Sequence, residues 1–291
     1  MTTETLLSDL SHLGLIKVYG EDAESFLQNQ LSNDVRNVTE NTAQTSAWCS
    51  PKGRIIASFM LFKRDDAYFL SLSHDLLEHV IKKLSMYVMM SKVTIEDATQ
   101  SLAHFGLSGD KAEDELASLS NNLTVLKILG TPSRFEILGD SKDTQTLQDS
   151  IQAAPENYWD YLNILAGHPH ISQASSEAWI PQMVNFIAVD GVDFKKGCYP
   201  GQEIVARLNY LGKTKRRMYH ILIDSAVVPE IGATINSDNS KDAGKILNAV
   251  INPEGKVEAL AVLKIAEVSN ALTLDSNTVS LLELPYAIAD E

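Results

Sequence analysis

Residues 195 to 207 read Lys195-Lys196-Gly197-Cys198-Tyr199-Pro200-Gly201-Gln202-Glu203-Ile204-Val205-Ala206-Arg207. One of the two cysteines of the chain follows two lysines here and lies between glycines, just ahead of a predicted helix start. Cysteine reacts as its thiolate, and neighbouring ammonium groups or a helix N-terminus lower a thiol pKa from about 8.5 towards neutrality. The pattern therefore predicts a reactive thiol at Cys198. The alternative is a small buried apolar residue, as free cysteines often are.

The composition is that of a globular protein with more than one domain. The chain has 291 residues, of which 44% are hydrophobic, and a formal net charge of −14. This length exceeds the usual size of a single core, so we expect two or three domains. The N-terminal residues lack the basic and apolar regions of a secretory signal, and no apolar run approaches the roughly 18 residues that span a bilayer. The sequence predicts a soluble cytoplasmic protein with no membrane partner.

Cysteine and histidine spacing does not indicate a metal site. Cys49 and Cys198 are far apart and outside CxxC spacing, and the seven histidines form no HExxH or paired-ligand pattern. We expect no metal bound by the protein itself. A disulfide between the two cysteines is also not expected in a reducing compartment.

The basic residues are unevenly distributed. Binding along a nucleic-acid backbone takes many Lys and Arg residues to replace condensed counterions, so the net charge of −14 argues against a broad nucleic-acid surface. A basic cluster nevertheless occupies 23 positions and consists of Lys195, Lys196, Arg207, Lys213, Lys215, Arg216 and Arg217. On an acidic protein this cluster predicts a local site for carboxylates or phosphates. The alternative is a solvated loop with scattered charges.

Hydrophobic periodicity predicts an α+β fold. A strand at 15–18 is followed by Asp22, the expected N-cap of a helix. The apolar segments 54–62 and 68–72 predict a hairpin, and 76–88 keep helical spacing before extended chain at 93–95.

A similar order recurs further along the chain. Strands are expected at 102–107, 123–129 and 135–138, with a helix at about 142–153. We therefore predict an α+β region, 1–208, with two facing lobes. The lobes comprise about 1–98 plus 155–208, and 99–154, and a cleft between them is the default position for a ligand. From 213 to 291, short strands separated by Gly, Pro, Asn and Asp predict a small antiparallel β-barrel, with strands at 218–223, 245–251, 259–263 and 279–284.

Four stretches of the sequence agree with one protein family in order and spacing. They are Gly20-Glu21-Asp22-Ala23 with Phe26-Leu27-Gln28 and Asn33-Asp34-Val35; Cys49-Ser50-Pro51-Lys52-Gly53-Arg54; Ile180-Pro181-Gln182-Met183-Val184-Asn185; and Lys196-Gly197-Cys198-Tyr199 with Gly201-Gln202-Glu203. On these residues the chain resembles the YgfZ family, folate-binding relatives of the glycine-cleavage T-protein, over nearly its whole length. The fourth stretch is specific to this branch, whereas the other three are shared with the wider superfamily.

The resemblance implies a ring of lobes with a central hole that binds tetrahydrofolate or another reduced folate. It also implies a role in maintaining iron–sulfur enzymes, including those that thiolate tRNA, so the implied partners are folate and iron–sulfur client or assembly proteins. The acidic net charge favours an indirect tRNA role, in which the protein serves the modifying enzyme. No DNA partner is expected.

The resemblance implies site residues as well. Trp159 matches a family tryptophan placed against the folate, and an indole face stacks well on a flat pterin or aminobenzoyl ring; the alternative is that Trp159 is helix core. Glu203 is implied to accept hydrogen bonds from the pterin, a role that suits a carboxylate. Its alternatives are an acidic residue favoured by the helix dipole or a local pair with Arg207. We predict Cys198 as the catalytic thiol and Trp159, Glu203 and Arg207 as folate-binding residues.

Two departures from the family pattern bear on activity. A second aromatic residue that some members carry near the N-terminus is Leu13 here, so half of the implied stacking pair is missing. Where T-proteins have an acidic pair after a Gly-Gly turn, this chain reads Ile55-Ile56-Ala57-Ser58. Neither Ala57 nor Ser58 supplies a carboxylate for proton transfer. This departure disfavours aminomethyl transfer.

Three functions remain open from the sequence. The favoured one is a folate-binding accessory factor for iron–sulfur cluster assembly or repair, in which Cys198 is a transient thiolate towards a cluster, a sulfur species or a one-carbon adduct. The second is a folate-dependent one-carbon transferase with an unrecognised base. The third is a direct tRNA-binding module that uses residues 213–217, which predicts a steep loss of RNA affinity with added salt. The sequence thus favours an assembly factor over an aminomethyltransferase, with Cys49 dispensable.

Overall fold

The computed structural model describes residues 4–40, 42–117 and 122–288, which form three β-sheets with helices packed around them. The strands are Leu6–Asp9 (β1), Leu13–Tyr19 (β2), Ala43–Cys49 (β3), Ile55–Arg64 (β4), Ala67–Ser73 (β5), Thr94–Asp97 (β6), Ala103–Ser108 (β7), Thr124–Ile128 (β8), Arg134–Gly139 (β9), Arg216–Ile223 (β10), Thr234–Ser237 (β11), Ser240–Ile251 (β12), Val257–Lys264 (β13), Leu272–Leu274 (β14) and Asn277–Leu282 (β15). The α-helices are Ala23–Gln28 (α1), Leu77–Ser85 (α2), Ala112–Leu116 (α3), Ser141–Ser150 (α4), Tyr158–Leu165 (α5) and Gln202–Leu211 (α6).

The first sheet is antiparallel and has the strand order β3-β4-β5-β2-β6. The predicted hairpin is present as β4 and β5, with Arg64 opposite Ala67. Asp65 and Asp66, between them, both have positive φ. Two-residue hairpin turns with this backbone have a twist that matches the twist of the flanking strands. Helix α2 buries Leu77, Val80 and Leu84 and ends at Ser85, three residues earlier than its spacing predicted.

The second sheet has the order β1-β7-β9-β8. Its first strand, Leu6–Asp9, pairs with Ala103–Ser108, although the sequence placed residues 1–98 in the other lobe. Four residues are too few to show a period, so only the pairing partner identifies this strand. The predicted division into domains stays a prediction.

The structure corrects one local expectation and contains one strand that the sequence did not predict. Asp22 precedes α1 but makes no capping hydrogen bond; its carboxylate instead accepts the backbone N–H of Lys92 at 2.8 Å, which ties α1 to the chain before β6. Strand β3 was not predicted because its sequence, Ala-Gln-Thr-Ser-Ala-Trp-Cys, is polar in its first half. Thr45 and Ser46 are nevertheless buried. Their burial brings polar side chains into the interior beside the site described below.

The third sheet confirms the predicted C-terminal barrel. Together with the two open sheets and the helices packed on them, it confirms the predicted α+β class. It closes in the order β10-β13-β12-β11-β14-β15, with β15 pairing back to β10. The barrel is bonded to the rest of the protein. Tyr286 Oη donates to the carbonyl of Gly167 at 2.7 Å. The side-chain amide of Asn248 accepts the backbone N–H of His170 and donates to its carbonyl, at 3.1 and 2.9 Å. Among the described residues, no helix has the length and apolar character needed to cross a membrane.

Candidate functional site

The segment around Cys198 is a short loop that leads into α6. Gly201 is the last residue before the helix and has a φ of +82°, a left-handed conformation that favours glycine. A Cβ at Gly201 would collide with the carbonyl oxygen of Ser50 and lie 2.7 Å from the Cα of Gly53. The loop therefore packs backbone to backbone against the 50–53 turn, which belongs to the second of the four stretches that carry the family resemblance.

Lys196 anchors the loop through its ammonium group. The side chain reaches inward, and its Nζ donates hydrogen bonds to the carbonyl oxygens of Gln28, Leu31 and Asn33 at 2.5 to 2.9 Å. These carbonyls lie at and just beyond the C-terminal end of α1, where a cation also complements the helix dipole. Loss of water on burial lowers the pKa of Lys196 to about 8. Of the two lysines expected beside the thiol, only Lys195 is exposed.

The two cysteines differ in environment. Cys198 is exposed, whereas Cys49 is buried at the end of β3. Burial raises the pKa of Cys49 to about 12, so this thiol is protonated and inert at neutral pH. Tyr199, the neighbour of Cys198, turns inward and is buried, with the Lys196 ammonium 5.4 Å from its ring centroid. Adjacent residues thus have opposite roles: Tyr199 holds the loop and Cys198 faces solvent.

The remaining stretches contribute to the same assembly. Asn33 donates from its side chain to the carbonyls of Thr45 and Asp190, at 3.0 and 2.5 Å. The side-chain amide of Gln182 donates to the carbonyl of Val205 in α6 at 2.7 Å. Beside Asn33, the Arg36 guanidinium hydrogen-bonds the Asp34 carboxylate and lowers its pKa to about 2. All four stretches identified in the sequence therefore meet around the base of the Cys198 loop.

A cavity of about 800 Å³, called the first cavity below, lies between the two open sheets beside this assembly. Its walls come from several elements: Asn33 after α1, Thr45 and Met60 in the first sheet, Lys127 to Leu129 at the end of β8, His168 after α5, Val189 to Lys195, and Tyr210 in α6. Carboxylates are supplied by Asp190 and Asp193, and a cation by Lys195. Phe194 and Tyr210 form an edge-to-face aromatic pair with centroids 5.8 Å apart. The cavity thus combines acceptors, cations and aromatic surface.

The second cavity is much smaller, about 40 Å³, and shares Met60, Ile128 and His168 with the first. Trp159 lines it but is only 3% exposed. The indole packs against Gly106, where a Cβ would lie 2.6 Å from Cζ3, and against the Arg134 guanidinium, 5.4 Å from the ring. The surroundings of Trp159 are thus largely protein.

His168 connects the two cavities. Its Nε2 is 3.2 Å from Thr45 Oγ1, and burial lowers its pKa to about 3. The imidazole is therefore neutral at physiological pH. A neutral ring can donate or accept one hydrogen bond to a ligand without adding charge to the cavity.

The structure places the predicted site residues in two separate regions. Trp159 is at the inner cavity, whereas Cys198, Glu203 and Arg207 are exposed on the loop and α6. Glu203 occupies the first helical turn, the position favoured by the helix dipole. The folate-binding roles of these residues stay predictions. Within the described residues, no cluster of His, Cys, Asp and Glu suited to a metal is present.

Sequence reasoning did not find Asp190, His168 or the Phe194–Tyr210 pair. The only signal for Asp190 is its place ahead of Gly191 in the run that leads to the Cys198 motif. Asp190 has a positive φ of 55°, and its carbonyl accepts a hydrogen bond from Asn33, which lies 157 positions earlier in the chain. Such a contact is visible only in three dimensions.

The chain is similar to known proteins both in sequence and in fold. The GCVT N-terminal domain family model matches residues 1–128. In fold, the chain is similar to the glycine cleavage system aminomethyltransferase T from Bartonella henselae, with a TM-score of 0.75, 15% identity, and coverage of 98% of this chain and 86% of that one. At this identity the likeness concerns the fold alone.

Relatives named tRNA-modifying protein YgfZ match in sequence. The protein from Colwellia psychrerythraea is 31% identical over 283 residues, which covers 89% of this chain and 86% of the relative. Those from Enterobacter sp. (strain 638) and Photobacterium profundum are 30% and 31% identical, each covering 98% of this chain and 94% and 92% of their own length. The four stretches that meet around Cys198 and this near full-length similarity lead to one conclusion: the chain belongs to the YgfZ family.

Proposed function

We propose that this protein binds a reduced folate, such as tetrahydrofolate, in the first cavity and supports iron–sulfur cluster assembly or repair, and thereby tRNA modification, in the cytoplasm. The observation that carries the proposal is the position of the thiol. Cys198 is exposed on a loop held by buried contacts, and Lys195, three residues earlier, lines a cavity of folate size. The family membership supports the same function, since its curated members are named for tRNA modification.

The residues of the first cavity fit a folate. Its volume of about 800 Å³ is within the range of ligand pockets, about 300–1,000 Å³. The carboxylate of Asp190 suits the donor-rich edge of a pterin, and the Phe194–Tyr210 pair offers aromatic surface. Lys195 is a cation for the glutamyl carboxylates, whereas the ammonium of Lys127 already pairs with Glu113 at 2.7 Å. When bound, a reduced folate supplies a nitrogen that carries one-carbon units.

The role proposed for Cys198 is that of a transient thiolate ligand to iron in a client protein. Coordination requires only that the thiol release its proton and donate a sulfur lone pair, so no oxidant is consumed. The exposure of Cys198 gives another protein access to the sulfur. Iron–sulfur client or assembly proteins are therefore the proposed partners, and tRNA is affected indirectly.

A folate-dependent one-carbon transferase is the second candidate. Ala57 and Ser58 are buried, and Ser58 Oγ accepts the backbone N–H of Ile171 at 3.0 Å, so this position is structural and offers no carboxylate. Asp190 and Asp193 nevertheless bring carboxylates to the first cavity. Turnover of tetrahydrofolate with an amine donor that persists in Cys198→Ser and disappears in Asp190→Asn would favour this candidate.

The thiol role is tested by complementation of a strain that lacks its own protein of this family. Cys198→Ser should fold normally yet fail to restore the activity of an iron–sulfur tRNA-modifying enzyme. Cys49→Ser, a matched change at a buried thiol, should restore it. Full complementation by Cys198→Ser would remove the thiol from the function.

The folate role is tested separately by calorimetric titration of the purified protein with tetrahydrofolate. Asp190→Asn keeps the side-chain shape but removes the charged acceptor. Because hydrogen bonds to charged groups contribute about 1.5–3 kcal/mol, binding should weaken by about 10-fold or more. Unchanged affinity in Asp190→Asn would refute the assignment of the pterin to this cavity.

A further inference from the structure

Helix α6 has large apolar side chains in contact with solvent. Of its ten residues, all of which the structure describes, only Val205 is buried. Ile204 is 44% exposed, Tyr210 67% and Leu211 85%. A helix that packs one face on a core normally has charged and polar residues on the other face. Apolar residues grouped on an exposed surface indicate a place where another molecule binds.

The exposed side chains of α6 lie on one side of the helix. Residues three, four or seven positions apart share a helix face. The set with this spacing, called the α6 face below, consists of Glu203, Ile204, Arg207, Tyr210 and Leu211. Cys198 lies four residues ahead of the helix, and Tyr210 also lines the first cavity. A protein bound to the α6 face therefore lies beside the thiol loop and contacts the wall of the cavity.

Only part of the basic cluster predicted from the sequence is near this face. Lys196 is buried, and Arg216 pairs with Asp242 at 3.0 Å. Arg207 is on the face itself, and Lys213 follows the last residue of α6 by two positions. Both of these cations are exposed.

A third cation comes from the 50–53 turn. A Cβ at Gly53 would lie 3.2 Å from the Cβ of Ile204, so Lys52 is beside the α6 face. None of the ion pairs among the described residues involves Lys52, Arg207 or Lys213. The surface thus has three exposed cations and one carboxylate, Glu203, on a chain with a net charge of −14. Charge complementarity favours an acidic partner surface.

The composition of this surface fits a protein partner. RNA binding takes many cations along the phosphate backbone, and exposed isoleucine and leucine side chains do not contribute to it. The cores of protein interfaces are instead enriched in aromatic residues and arginine, as Tyr210 and Arg207 are. A symmetric dimer of this chain would place the same cations opposite each other, which like-charge repulsion disfavours.

We propose that the α6 face is the docking surface for the iron–sulfur client protein, which presents an apolar patch with an acidic rim. This inference rests on the proposed function and extends it to the place where the client binds. Docking buries Ile204 and Leu211 and brings the client next to Cys198. The complex is non-covalent.

The experiment measures binding of the full chain to the purified, cluster-loaded iron–sulfur enzyme that thiolates tRNA in the same organism, by biolayer interferometry. Leu211→Glu should weaken binding by about 10-fold or more, as loss of an interface anchor does. Val227→Glu is the matched control, because Val227 is 77% exposed in the loop between β10 and β11. Its affinity should stay within about threefold of wild type. Both variants should unfold at the wild-type urea concentration.

A second pair of variants tests the charge. Lys52→Glu should weaken binding about threefold or more at low ionic strength and have little effect in about 1 M salt, where the Debye length is about 3 Å. Lys241→Glu, at an exposed lysine of β12, should keep the wild-type affinity.

The other outcomes separate the docking surface from the proposed function. Wild-type affinity in Leu211→Glu, an equal loss in Leu211→Glu and Val227→Glu, or no binding of the enzyme by the wild-type protein would each overturn the docking surface. A tRNA transcript that binds the wild-type protein and loses affinity in Lys52→Glu would identify an RNA surface and overturn it as well. Failure of the wild-type protein in the complementation test would overturn the proposed function itself.

Discussion

Substitution of Gly201 by alanine tests whether close backbone packing holds the Cys198 loop. The added methyl would meet the carbonyl oxygen of Ser50 and lie 2.7 Å from both N and Cα of Gly53. These are backbone atoms, which cannot rotate away as a side chain can. The loop and the 50–53 turn must therefore separate to accept the methyl group.

The expected magnitude has two parts. A left-handed φ costs a residue with a Cβ about 1–2 kcal/mol, and φ at Gly201 is +82°. Overpacking of a tight contact typically costs a further 1–3 kcal/mol. We expect Gly201→Ala to lower the free energy of unfolding by about 2–5 kcal/mol. Gly197→Ala is the control: no heavy atom lies within 4 Å of its added Cβ, so its effect should stay within about 0.5 kcal/mol.

Urea denaturation followed by circular dichroism measures both variants against the wild-type protein. If Gly201→Ala and Gly197→Ala unfold at the same urea concentration, the packing argument is wrong.

Three further predictions concern the same region. Lys196→Met removes the ammonium from three carbonyl acceptors and should cost about 3 kcal/mol or more in urea denaturation; wild-type stability would contradict this. Iodoacetamide at pH 8 should label Cys198 and leave Cys49 unlabelled until the protein unfolds, and equal labelling in mass spectrometry would show that Cys49 is accessible. Because the pKa of Asp34 is lowered to about 2 by Arg36, its stabilisation is complete above the unfolded pKa of about 4 and is lost as pH falls towards 2. Asp34→Asn should therefore lower the free energy of unfolding by about 1–2 kcal/mol at pH 7, an amount that allows for the solvent exposure of Arg36. It should also make that free energy depend less on pH between pH 4 and 2. An equal pH dependence in the variant and the wild-type protein would refute the pairing.

Much of the fold was predictable because its signals are local. The hairpin across Asp65 and Asp66 and the longer barrel strands show regular hydrophobic patterns between turn residues. The elements that were missed lack such patterns. Leu6–Asp9 is four residues long, and Ala43–Cys49 is a buried strand with a polar first half. Their structure depends on the partners they pair with.

The candidate site was predictable in part. The motif around Cys198 marked a loop that continues into a helix, whereas the exposure of the thiol is visible only in the structure. The sequence shows that Lys196 carries a charge, but it does not show which groups the ammonium contacts. Its ammonium binds carbonyls more than 160 residues earlier in the chain, so it serves as an anchor.

The sequence by itself determined the α+β class, the C-terminal barrel and the family, because periodicity and motif spacing are properties of short segments. Only the tertiary structure decided which groups share a cavity. His168, Asp190 and Tyr210 follow one another at intervals of about 20 residues and line one space because the two open sheets and α6 enclose it. Proximity across that space follows from how the elements pack, and the order of residues along the chain does not encode it locally.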